Sequence, residues 1–180
     1  MITAYNSWCY IVASLGIKYP DMPQLNSSCN LLMIEDNPAD VRLMIEAIRE
    51  AGLSDMISTR YAYDGDEAFT ILESGYNAEN PFSMVMLDLN MPKVNGKELL
   101  GRIKSDVRFS TIPVFIMTNS DYKYDMIDCY NLRADAYIQK PTDFKRLIDF
   151  FTSVKRSLEI NQRLSVFQIE KRYEEMSMAS

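Results

Sequence analysis

The chain has 180 residues, 47% of them hydrophobic, a length that supports one well-buried core with extensions rather than two independent domains. A formal net charge of -6, with 19 Lys and Arg against 25 Asp and Glu, argues against a basic nucleic-acid-binding face and so against direct DNA binding. The absence of histidine excludes catalytic triads, His-ligated metals and a phosphohistidine donor on this chain, while the scattered Cys9, Cys29 and Cys129 suggest neither a disulfide framework nor a zinc site and fit a reducing cytosol.

Residues 1–29 carry no clear periodicity. Trp8 to Ile17 is apolar but shorter than the roughly 18–20 residues of a membrane span, and no Lys or Arg precedes it as in a secretory signal. A soluble, cytoplasmic protein with no membrane partner is expected. Met22 is a plausible start, so residues 1–29 read as an N-terminal extension, poorly ordered or upstream of the native start.

From Asn30 the pattern alternates between strand and helix, as in an α/β fold with a parallel sheet. Leu31 to Ile34 is a continuous apolar run ending in Glu35 and Asp36, the signature of a central strand covered on both faces. Asn37 then caps a helix with Pro38 at its first position, Val41, Met44, Ile45 and Ile48 recur at helical spacing, and Gly52 stops it. Ile57, Thr59 and Tyr61 alternate as a second strand; Asp64-Gly65 turns the chain into a helix built on Ala68, Ile71 and Leu72. Ser74 to Phe82, rich in Gly, Asn and Pro, reads as a surface loop. Met84 to Leu87 is a third strand that delivers Asp88 at its carboxyl end, and after Pro92 and Asn95-Gly96 a helix carries Leu99, Leu100 and Ile103.

Pro113 to Met117 forms a fourth strand ending at Thr118. The helix from about Asp121 to Leu132 is polar apart from Met126, Ile127 and Tyr130 and is expected to be lightly anchored. Ala136 to Gln139 makes a fifth strand ending at Lys140-Pro141, and Phe144, Leu147, Ile148, Phe151, Val154 and Leu158 form the stripe of a last amphipathic helix. Residues 160–180 either prolong that helix or form a tail.

In an open parallel sheet the carboxyl ends of the strands line the ligand crevice, so Glu35, Asp36, Asp88, Thr118 and Lys140 converge although they are far apart in sequence. Carboxylates gathered there repel: two unit charges about 4 Å apart cost roughly 4 kcal/mol at an effective dielectric near 20. Lys140 supplies one positive charge, and a hard divalent cation with oxygen ligands, Mg2+, would supply the rest. This set suits phosphoryl transfer to a carboxylate. Asp88 is the candidate nucleophile, Asp36 the direct metal ligand, Glu35 a ligand through water, and Thr118 a donor to the transferred group.

The segments LLMIEDNPADVRL, VMLDLNMPKVNG, IMTN and AYIQKP, in that order and each at a strand end, resemble the receiver domains of two-component response regulators. The resemblance covers about Asn30 to Leu158, and EDNPADVRL with DLNMPK is most similar to the small stand-alone regulators associated with phytochrome-type kinases. It implies a flavodoxin-like, doubly wound five-stranded parallel sheet of order 2-1-3-4-5 with five helices over residues 30–159. It implies that Asp88 is the phosphoacceptor, Asp36, Asp88 and the main-chain carbonyl of Asn90 are metal ligands, Lys140 binds phosphate, Thr118 is the switch hydroxyl and Tyr137 the aromatic that follows it. A cis bond before Pro141 is part of the same pattern. Asn119 departs from the small residue usual after the switch hydroxyl, which bears on access of water and small phosphodonors. The implied partners are a sensor histidine kinase and a downstream protein, with a homodimer as a further possibility.

Each of these residues also has a plainer reading. A Glu-Asp pair serves as a solvated helix start, Lys140 as a surface residue, Thr118 as a cap and Tyr137 as core; Asp88, at the end of an apolar strand, needs a partner or a metal. A haloacid-dehalogenase-like phosphatase also uses an Asp nucleophile with Mg2+, but wants a second acid where this chain has Asn90. A degenerate receiver that only binds partners would lack charged positions that are present here. No Walker A loop occurs, so nucleotide hydrolysis has no visible site.

Overall fold

The computed structural model describes residues 29–78, 81–91, 95–120 and 123–159. The expected extensions at 1–29, apart from Cys29, and at 160–180 lie outside the described residues. The elements run β1 (Cys29–Ile34), α1 (Pro38–Glu50), β2 (Ile57–Ala62), α2 (Gly65–Tyr76), β3 (Met84–Leu87), α3 (Gly96–Ser105), β4 (Val114–Thr118), α4 (Lys123–Asn131), β5 (Ala136–Gln139) and α5 (Phe144–Glu159). All strand pairs are parallel and the order is β2-β1-β3-β4-β5, the doubly wound arrangement expected from the alternating pattern.

The inner strands are apolar throughout because both faces are covered. Leu31, Met33, Met84 and Met86 face a cluster made with Val41, Met44 and Ile48 of α1 and Phe150, Phe151 and Val154 of α5. Leu32, Ile34, Val85 and Leu87 face the other cluster, with Leu72 of α2 and Leu99, Leu100 and Ile103 of α3. Burying one such Leu or Phe side chain stabilises by roughly 1.5–3 kcal/mol, so the interior positions of the sheet are the strongly determined part of the chain.

Local signals set the helix ends. The Asn37 side chain accepts the Ala39 N–H at 3.0 Å to cap α1, and Gly52 ends it at φ +68°, a left-handed conformation that a side chain would strain. Asp64 caps α2 by accepting from the Glu67 N–H. The loop expected from Ser74 begins only after Tyr76, since Leu72 is buried in the core and the Ser74 hydroxyl donates to the Ile71 carbonyl within the helix. On α4 the residue that is buried is Cys129, with Met126, Ile127 and Tyr130 half-buried, so the weak anchoring read from the sequence holds through a different side chain. In α5 Phe150, absent from the expected stripe, is buried, whereas Phe144 is exposed at the helix start. Among the described residues no helix is long and apolar enough to cross a membrane.

Candidate functional site

Register places the site. Ile34 of β1 pairs with Leu87 of β3, so Glu35 and Asp88 leave adjacent strands side by side, and the Asp88 N–H donates to the Ile34 carbonyl at 3.0 Å. Thr118 pairs with Gln139, which brings Lys140 out beside the end of β4; its N–H donates to the Thr118 carbonyl at 2.8 Å.

Lys140 reaches back across the crevice and its Nζ donates to Glu35 Oε2 at 2.6 Å, Asp88 Oδ2 at 2.7 Å and Asp40 Oδ2 at 2.8 Å. An ammonium group has three donors, and all are taken by carboxylates. Burial by itself would lower the lysine's pKa, but the hydrogen bonds to Asp40, Asp88 and Glu35 outweigh it and hold the ammonium above its ordinary value. Glu35 is raised from the usual carboxylate range, first by burial and further by the charge of Asp88, with Lys140 opposing. The two directions are compatible, since one positive charge shared among several acids compensates none of them fully.

The second oxygens of Glu35 and Asp88 are tied to the backbone. Glu35 Oε1 accepts the Asn37 N–H at 3.3 Å and Asp88 Oδ1 accepts the Asn90 N–H at 3.0 Å. Behind Asp88, α3 starts so close to the loop that a Cβ on Gly96 would lie 2.5 Å from Leu89 Cα and 2.6 Å from the Asp88 carbonyl oxygen; only glycine lets that helix end close the site. Thr118 is fully buried, and its Oγ1 accepts from Asn90 Nδ2 at 3.1 Å and from the Ser120 N–H at 3.3 Å. Tyr137, half-buried against the core, donates from its hydroxyl to the Ser120 carbonyl at 3.0 Å.

The structure therefore brings Glu35, Asp88 and Lys140 into direct contact, joins Thr118 to them through the Asn90 side chain, and links Tyr137 to the same loop through Ser120. Asp36 is half-buried at the end of β1 and is not among the partners of Lys140. The bond before Pro141 is trans, as are all peptide bonds among the described residues, in contrast to the cis bond implied by resemblance; the preference for trans at X-Pro amounts to about 0.5–1 kcal/mol. Sequence reasoning missed Asp40 and Ser120. An acid in the first turn of a helix reads as a partner of the helix dipole, and nothing local to Asp40 signals a lysine 100 residues away.

The donor set suits a hard cation. It consists of carboxylates, without thiolate or imidazole, and Glu35, Asp40 and Asp88 outnumber the single Lys140 that they share. Among the described residues no group of acids converges on one point as a finished metal site, because Glu35 and Asp88 each turn an oxygen toward the lysine. Chemistry and charge fit Mg2+.

Comparison with known proteins agrees with this fold. The family model described as the response regulator receiver domain matches residues 31–152. The chain is 32% identical over 136 residues to the probable methanogenesis regulatory protein FilR2 of Methanothrix harundinacea, covering 74% of this chain and 86% of that protein. It is 31% identical over 128 residues to the response regulator Rcp1 of Synechocystis, covering 69% and 85%; the Mn2+-bound form of Rcp1 superposes with a TM-score of 0.60 at 29% identity, over 71% and 91% of the two chains. The phosphorylated cyanobacterial phytochrome response regulator RcpA superposes with a TM-score of 0.66 at 30% identity, over 76% of this chain and 97% of that one.

Proposed function

The chain belongs to the response regulator receiver domain family, and from that membership we propose that Asp88 accepts a phosphoryl group from the phosphohistidine of a sensor histidine kinase in a Mg2+-dependent transfer. The observation that carries the reading is Lys140 Nζ, 2.7 Å from Asp88 Oδ2 and 2.6 Å from Glu35 Oε2 at the carboxyl ends of the strands. A carboxylate buried to this degree is the nucleophile, and a fixed ammonium beside it is ready to bind an oxygen of the transferred group.

In the transfer, an Asp88 carboxylate oxygen forms the new bond to phosphorus while the bond from phosphorus to the donor nitrogen breaks, and the electron pair leaves with the imidazole. Lys140 neutralises charge on the phosphoryl oxygens. Asp36, Asp88 and the Asn90 carbonyl would hold Mg2+ directly and Glu35 through water; the ion supplies further neutralisation and orientation of those oxygens. Thr118 now accepts from Asn90 and Ser120, and its own hydroxyl proton is the one to give to a phosphoryl oxygen. Pulling Thr118 toward Asp88 would disturb its bond to Ser120, and Ser120 is also what Tyr137 holds. The proposed output is a change in the face made by α4 and α5, read by a downstream protein or by a second copy of the chain.

The chemistry is the protein's own phosphorylation and dephosphorylation, in the cytoplasm, with no direct DNA contact. The likeness to the phytochrome response regulator RcpA supports a phytochrome-type kinase as the phosphodonor. The test is intact mass after incubation with a small acyl phosphate and Mg2+. Wild type is expected to gain the mass of a single phosphoryl group and Asp88→Asn none; equal labelling of both proteins would reject the assignment.

A further inference from the structure

Lys140 has no donor to spare. Its three N–H groups are held by Glu35, Asp40 and Asp88, so a phosphoryl oxygen can bind the ammonium only if one carboxylate lets go. The three are not equally able to do so. The side chains of Glu35 and Asp88 are 3% and 5% exposed and are fixed by the Asn37 and Asn90 N–H groups, whereas that of Asp40 is 28% exposed. Asp40 also comes from a helix rather than a strand end, and its second oxygen accepts from Asn37 Nδ2 at 3.0 Å, so it keeps an anchor when the lysine leaves. Beside it lies a cleft of about 150 Å3, lined by Asp40 and Lys140 among others, with room for water to take the lysine's place on the freed oxygen.

From this arrangement, and resting on the phosphoacceptor reading above, we propose that Asp40 is a positioning residue that occupies on Lys140 the place a phosphoryl oxygen takes, and yields it on phosphorylation. Before transfer Asp40 holds the ammonium extended toward Asp88. During transfer it competes with the incoming group for the same donor. After transfer its negative charge stands beside the aspartyl phosphate and draws the lysine back, favouring the unmodified state. No bond to Asp40 is made or broken beyond its hydrogen bond.

Asp40→Asn removes the competing charge and leaves the buried carboxylates to hold the lysine, while Asp40→Glu restores the charge. The experiment follows phosphoryl incorporation by intact mass over a range of acyl phosphate concentrations with Mg2+. It pairs this with metal-free NMR of 15N-lysine-labelled protein, following exchange of the Lys140 ammonium protons with water. For Asp40→Asn the half-saturating donor concentration is expected to fall about three- to tenfold, the order set by one partly exposed ion pair. Its ammonium protons should exchange faster, and Asp40→Glu should behave as wild type in both measurements. A merely structural role would slow labelling without changing the half-saturating concentration. That result, or unchanged labelling and exchange in Asp40→Asn, overturns the placeholder role alone. No label on the wild type would overturn the phosphoacceptor reading and the placeholder role with it.

Discussion

Lysines at opposite ends of the same sheet are buried to a similar depth and do different work. At the amino end, Lys104 of α3 donates to Asp135 Oδ2 at 2.7 Å and to the Ile112 carbonyl at 2.9 Å, and the same Asp135 oxygen accepts the Val114 N–H at 2.8 Å. One positive charge meets one negative charge, and the rest of the bonding is to backbone. At the carboxyl end, Lys140 meets Glu35, Asp40 and Asp88 at once and leaves negative charge in excess. The first arrangement is closed and ties α3 to the start of β4 and to the turn before β5. The second is unbalanced, and the imbalance is what a cation and a phosphoryl group can act on. Burial alone therefore does not mark a functional lysine; the charge around it does.

The largest effects on stability are expected at the two buried lysines, and Mg2+ separates them. Lys104→Met strands Asp135 in a protein interior without its counter-charge, and a broken buried pair costs about 3–5 kcal/mol. Urea unfolding should read most of that loss, and added Mg2+ should restore none of it. Lys140→Met sharpens the contrast. It leaves the buried Glu35 and Asp88, with Asp40 beside them, facing one another without their counter-charge, so the expected loss in the absence of a cation is of the same order, about 3–5 kcal/mol. Millimolar Mg2+ should recover it by binding the folded form. If Mg2+ rescued Lys104→Met and not Lys140→Met, the comparison would be inverted.

The smallest effect is expected where Lys97, in the first turn of α3, bridges Asp125 at 2.8 Å and Asp128 at 2.6 Å on α4. These groups are partly exposed, so Lys97→Met should cost under about 1 kcal/mol at neutral pH. Asp125 is held below its ordinary value, chiefly by the Lys97 bond and then by Ser120, and so stays ionised in the folded chain at a pH where the unfolded chain takes up the proton. The stabilisation is complete above about pH 4 and is lost as pH falls through the lowered value, so the gap between wild type and Lys97→Met should close below that point. A gap that widened in acid would contradict the pairing.

Most of the closed framework was legible from residue pattern. Leu31 to Ile34 and Met84 to Leu87 are continuous apolar runs, and parallel topology then requires Glu35, Asp88, Thr118 and Lys140 to gather at one edge. The contacts that pattern could not reveal are those between side chains from different elements. Lys104 sits one residue after Ile103 on an amphipathic helix and reads as solvated, since its partner Asp135 lies 31 residues away. Asp40 reads as a first-turn acid, and Ser120 as an ordinary loop residue, although its hydroxyl donates to Asp125 and its backbone meets both Thr118 and Tyr137. The Asn90 side-chain amide also reaches Thr118, a contact separate from the role expected of its carbonyl. Such pairings depend on the register and spacing of packed elements, which hydrophobic periodicity leaves open.

Receiver function as proposed requires that one carboxylate above the others becomes an acyl phosphate. Borohydride reduces an acyl phosphate and leaves free carboxylates alone, so treating the phosphorylated chain and mapping its peptides by mass spectrometry identifies the modified residue directly. Reduction at position 88, with Glu35, Asp36 and Asp40 untouched, is the predicted result. Reduction at any of those three instead, or at no position in a chain that has gained phosphate, would contradict it.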